Sequence, residues 1–160
     1  MARFSLMQDA RIVQVLDPAA DAAGRTGRAV SLKNYQRAYL VAHVTQGNAA
    51  TVALTPQQCT AVDGTAAKAI PVVPVYTNLD AAGGDSFTRQ TDAASFTTDA
   101  ALKDKIVVFQ VDPAALDVAG GFDCIRLNTG ASNAANITEA TVILCEPRYA
   151  GATQPSAIAD

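Results

Sequence analysis

The chain is written in short β-forming runs separated by turn residues, and almost nowhere does it carry the apolar spacing of a long helix. Ile12-Val13-Gln14-Val15-Leu16 opens the series and is expected to stop at Asp17-Pro18. Ala38 to Gln46 alternates, with Tyr39, Val41, His43 and Thr45 on one face and Leu40, Ala42 and Val44 on the other. Gly47-Asn48 reads as a turn and Thr51 to Thr55 as the return strand, which predicts a hairpin. Ala69 to Asn78 is β-rich, but Pro71 and Pro74 remove ladder donors and point to an edge or a bulge. Ser86-Phe87-Thr88 and Ser95-Phe96-Thr97 are short edge or loop segments. Lys105 to Val111, Phe122 to Leu127 and Thr138 to Cys145 complete the set, and the first of these has the strongest core character.

Helix is confined to a turn or two over Pro56 to Val62 and over Pro113 to Val118. The latter is introduced by Asp112 as N-cap and ended by Gly120-Gly121. The expected fold is all-β: an antiparallel β-sandwich or jelly-roll-like barrel with one or two short helical turns and extended terminal arms. A parallel α/β sheet would need crossover helices that the pattern does not supply. With 160 residues, one domain over 1–160 suffices, with its core at 10–148, an N-terminal arm at 1–9 and a C-terminal arm at 149–160. A domain of that size buries roughly 70% of its unfolded surface and needs no staples.

Charge and cysteine content narrow the function. The net charge is −3 and Lys or Arg never form a run, which argues against direct nucleic-acid binding and against a polybasic membrane anchor. No stretch has the length of a bilayer span, and the first residues lack the apolar run of a secretory signal. Cys59, Cys124 and Cys145 are odd in number and form no CxxC pair, so they read as small apolar residues of a reducing compartment. Synthesis in a cytoplasm is the expectation.

Chemistry-bearing patterns are sparse. His43 is the single histidine, so a two-histidine metal site or a histidine pair cannot form within one chain. It is expected to be a partly buried structural residue. Asp80, Asp85, Asp92 and Asp99 share a Gly- and Thr-rich region without the regular spacing of a calcium loop. A glycosidase would need facing carboxylates and sugar-stacking aromatics, yet there is no Trp and only 6% aromatic residues. Gly24-Arg25-Thr26-Gly27-Arg28 is the nearest approach to an anion nest, and a solvated loop is the simpler reading. No catalytic, cofactor, metal or small-molecule substrate site is expected, and the chain is read as not being an enzyme.

Taken in order, several segments carry a resemblance. They are Gly24-Arg25-Thr26-Gly27 with Val30-Ser31-Leu32-Lys33-Asn34, His43-Val44-Thr45-Gln46-Gly47-Asn48-Ala49-Ala50, Phe96-Thr97-Thr98-Asp99-Ala100, Lys105 to Pro113, Gly121-Phe122-Asp123-Cys124-Ile125, and Gly130-Ala131-Ser132-Asn133-Ala134-Ala135-Asn136. Together they resemble small structural proteins of tailed bacteriophages and prophages. That resemblance implies a capsid decoration or cement protein at the virion's outer capsid surface. Its implied partners are the major capsid protein and further copies of itself, as a dimer or trimer. A host-surface binding module and a tail, connector or head-completion component are the alternatives. The interface residues expected on this reading lie in the arms: Arg3, Phe4, Leu6 and Met7 at one end, and Arg148, Tyr149, Pro155 and Ile158 at the other.

Overall fold

The computed structural model describes residues 5–149 and 154–159. A helical turn, α1 (Leu6–Asp9), leads into β1 (Ala10–Ala20), followed by β2 (Arg25–Thr26), β3 (Val30–Ser31), β4 (Tyr35–Gln46) and β5 (Ala53–Cys59). Then come β6 (Lys68–Ala69), β7 (Val75–Asn78), β8 (Thr88–Arg89), β9 (Phe96–Thr97), β10 (Asp104–Val111), β11 (Cys124–Thr129) and β12 (Asn136–Pro147). Every pairing is antiparallel, and the strands form two sheets. The first runs β1-β12-β4-β10-β7-β8; the second runs β2-β11-β5-β6, with β3 also on β11 and β9 also on β5. This is the expected all-β sandwich.

Alternation along the long strands makes the core. Leu40, Val44, Val107, Phe109, Val142 and Leu144 point inward from the first sheet and meet Leu54, Ile125 and Leu127 from the second, all of them buried. Each such side chain contributes about 1.5–3 kcal/mol by leaving water. Ala38, Ala42 and Ala140 are buried among them on the central strands β4 and β12.

The ends of the sandwich differ. At one end the loops after β1, β4, β9 and β11 surround a buried polar plug. Lys105 is 1% exposed, and its Nζ donates to Gln46 Oε1 at 2.7 Å and Ala101 O at 2.5 Å, with Asp99 Oδ1 at 3.1 Å. Thr98 Oγ1 donates to the same Gln46 oxygen at 2.9 Å. Fully buried Asp21 accepts from Arg25 Nε and from Thr129 Oγ1, each at 2.9 Å. The opposite end carries α1, the two 3-10 turns Pro113–Ala115 and Val118–Gly120, and residues 154–159.

Several local expectations are corrected. β1 does not stop at Asp17-Pro18 but continues to Ala20 through register shifts on either side of Leu16. An edge strand with bulges tolerates a proline because no ladder bond is asked of it there. The predicted hairpin between β4 and β5 does not form: β4 is already paired on both edges, by β12 and β10, so the chain crosses from Gln46 to the second sheet. Asn48 serves that crossing, its N–H donating to Asn136 Oδ1 at 2.8 Å and its own Oδ1 accepting from Ala50 N–H at 2.9 Å. Pro56 to Cys59 is strand rather than helix, paired with β11 and β6. Ala69 to Asn78 divides between β6 and β7, and thus between the two sheets. The turn after Asp112 is 3-10 rather than α-helical; Asp112 does cap it, and Gly121, at φ +80°, ends the pair of turns.

Candidate functional site

The described interface candidates gather at the end of the sandwich that carries the termini. In α1, Ser5 N–H donates to the Asp9 carboxylate at 2.6 Å and closes the turn, leaving Leu6 43% and Met7 67% exposed. Residues 154–159 lie beside this turn. The Gln154 side chain donates to Gln8 O, Arg11 Nη2 donates to Gln154 O at 2.7 Å, and Tyr35 Oη donates to Pro155 O at 2.7 Å. Ser31 N–H donates to Ala157 O at 2.8 Å, and Ala157 itself is buried, so this segment packs on the chain's own core. Ile158 stays half exposed, and Arg148 and Tyr149, just beyond β12, are exposed, Tyr149 to 71%. Arg3 and Phe4 lie outside the described residues. Burial pushes the Tyr35 phenol up, and the neighbouring Arg11 guanidinium partly offsets that shift.

From this end a groove of about 900 Å³ runs along β1 toward β2, lined among others by Arg11, Val13, Leu16, Arg25, Arg28 and Ile158. Its origin is topological. β1 pairs with β12 along one edge only. On the other edge Arg28 N–H reaches Val15 O at 2.7 Å and Arg25 Nη1 reaches Asp17 O at 2.8 Å, which leaves Arg11 to Gln14 without a strand partner among the described residues. Gly27 occupies the seam: its N–H donates to Leu127 O, and a Cβ there would sit 2.6 Å from Leu127 O and 2.9 Å from Val15 O. The Gly-Arg-Thr-Gly-Arg run is therefore a clasp between the two sheets. Arg25 is spent on Asp21, Asp17 O and Thr138 O, whereas exposed Arg28 makes no side-chain bond among the described residues.

The residues weighed for chemistry take structural places. His43 is exposed rather than partly buried, on the outer face of the first sheet, with Nδ1 2.8 Å from Glu139 Oε1. Cys59 and Cys124 are buried directly opposite each other on β5 and β11, and burial pushes the Cys59 thiol up. Cys145 is pushed up by burial and by Glu146 beside it. Raised thiols are the opposite of activated nucleophiles. Among the loop acids, Asp80 pairs with Lys103, Asp92 with Arg89 and Asp99 with Lys105. Hydrogen bonds from their lysines hold Asp80 and Asp99 below the usual carboxylate range. Among the described residues no group of three His, Cys, Asp or Glu could hold a metal ion.

Sequence reasoning missed the groove, because β1 and β2, although consecutive in the chain, belong to different sheets, and Ala157 and Ile158 reach them from the far end of the sequence. Pro18 inside an otherwise continuous β run was the one local sign that β1 is an edge.

No family model matches the chain, and no curated protein matches it. Among solved structures it is similar to the SPBc2 prophage-derived protein YomS, at 9% identity and a TM-score of 0.48, over 85% of this chain and 93% of that one. The likeness is one of outline, and no functional argument rests on it. Among the described residues no helix is long and apolar enough to cross a membrane.

Proposed function

We propose that this chain is a non-catalytic structural protein of a tailed-phage virion, a capsid decoration or cement protein that binds the outer capsid surface and stabilises contacts between major capsid proteins. The observation that supports it best is the open edge of β1 beside the gathered terminal segments. A segment of a capsid subunit laid along Arg11 to Gln14 would gain main-chain hydrogen bonds there, with Arg28 and Ile158 contacting its side chains. Such a contact needs a rigid frame and no reacting group. Repeated over a shell, modest contacts of this kind add through multivalency. The sequence resemblance to phage structural proteins favours the same role.

The test is reconstitution. Capsids lacking this chain are mixed with the purified protein and sedimented, and bound protein is counted. Wild-type protein should bind and raise the temperature at which the capsids open. Arg28→Glu and Ile158→Asp, both at exposed positions, should each weaken binding about tenfold, a loss of about 1.4 kcal/mol. Wild-type protein that fails to bind, or variants that bind equally well, would overturn the reading.

A further inference from the structure

The outer face of the first sheet has the character of a surface built to be covered. Opposing residues form rows across it. Ile12, Ile143, Tyr39 and Gln110 make one, and Gln14, Thr141, Val41, Val108, Tyr76 and Arg89 make the next. An antiparallel sheet with one solvated face ordinarily places polar residues there. Here the middle of the face is Tyr39, Val41, Val108, Ile106 and Ile143, and Ile12 at its margin is 46% exposed.

We propose that this face is the self-association surface of the protein, occupied by the same face of a second copy. Three observations select a second copy. The first is area: counting the short β7 and β8 together as one, five strands at about 4.8 Å spacing and about seven residues at about 3.3 Å give roughly 550 Å² per copy. The pair then covers about 1,100 Å², at the lower edge of specific interfaces. The second is charge: Glu139 lies against His43, and Arg89 is offset by Asp92 at 2.8 Å, so the face does not repel itself. The third is the pattern. A two-fold axis parallel to the strands, between β4 and β10, lays each Val41 over the partner's Val108 and each Thr141 over the partner's Tyr76. Gln14 then meets the partner's Arg89, and no like charges coincide in that row.

This inference does not depend on the capsid reading, and its test contains no capsid. Sedimentation equilibrium from about 1 to about 500 µM should show a reversible dimer with a Kd on the order of 10 µM. Val41→Lys, and Thr141→Lys at a position already half polar, should each weaken it at least about tenfold. Thr55→Lys, on the outer face of the second sheet, should leave it unchanged. A circular-dichroism melt confirms that each variant folds. Mixing the single variants Val41→Cys and Val108→Cys in a Cys145→Ser background should give a disulfide between copies that neither gives alone. A wild-type monomer throughout the range, an undiminished dimer in both lysine variants of the first sheet, or equal loss in Thr55→Lys would overturn the proposal.

Discussion

The outer faces of the two sheets rest on one core and are built in opposite ways. On the second sheet the outward residues bond to one another: Gln57 Oε1 accepts from Arg126 Nε at 2.9 Å and from Asn128 Nδ2 at 3.0 Å. At the far end of that face Cys59 and Cys124 are covered by Ala29, Val62 and Ala67. On the first sheet the middle of the outward face is Val41, Val108, Ile106 and Ile143, whose side chains form no hydrogen bonds, and the polar contacts lie around them: His43 with Glu139, Arg37 with Glu146, and Arg89 over the Tyr76 ring. Inward alternation makes the fold; the outward half of the same alternation decides whether a face is finished within the chain or left for a partner. On the proposed self-association, the face of the second sheet is finished within the chain and that of the first by a second copy.

The largest effect should come from the frame that both faces share. Lys105→Met takes the ammonium from Ala101 O and the Asp99 carboxylate, leaves Gln46 Oε1 with Thr98 alone, and should cost about 3 kcal/mol in urea unfolding. Both faces should be lost in one transition; two separate transitions would break the view that they share a frame. Gly27→Ala should cost about 2 kcal/mol, because its Cβ would meet backbone oxygens of both sheets, which cannot move aside cheaply. A neutral Gly27→Ala would remove the clasp from the account. On the finished face, Gln57→Ala should cost about 1 kcal/mol and leave association untouched.

The smallest effect is in pH. The Lys105 ammonium and the Ala101 N–H hold Asp99 below its ordinary value of 3.8. A depressed carboxylate contributes stability above its unfolded pKa and loses it as pH falls through the folded one, so the loss begins below about pH 5. The Asp99 side chain is half exposed, which keeps the contribution small. Urea midpoints from about pH 3 to about pH 7 should therefore fall slightly less steeply for Asp99→Asn than for wild type. An equal slope would show that Asp99 adds nothing to acid stability.

The alternation of Tyr39 to Val44 and of Glu139 to Leu144 was legible in the sequence, since a period of two with Val and Leu on one side admits few other readings. So were the edge character near Pro71 and the Asp112 cap. Sheet partition was not legible. Gly47-Asn48 carries hairpin chemistry, yet β4 had both edges taken by strands that lie about sixty and ninety residues further on, a competition no local window contains. Pro56 suggested a helix start, but it sits inside β5 opposite Leu127. The arms were marked by composition alone. That their described parts converge beside β1 follows from β1 and β12 being neighbours, with Ala10 opposite Cys145.

The most direct test of the proposed role is the copy number and position of this chain in purified particles, by quantitative mass spectrometry with image reconstruction. A decoration protein predicts hundreds of copies on the outer shell lattice, seated with the β1 edge and the terminal segments toward the capsid. A handful of copies at a single vertex or in the tail would contradict it.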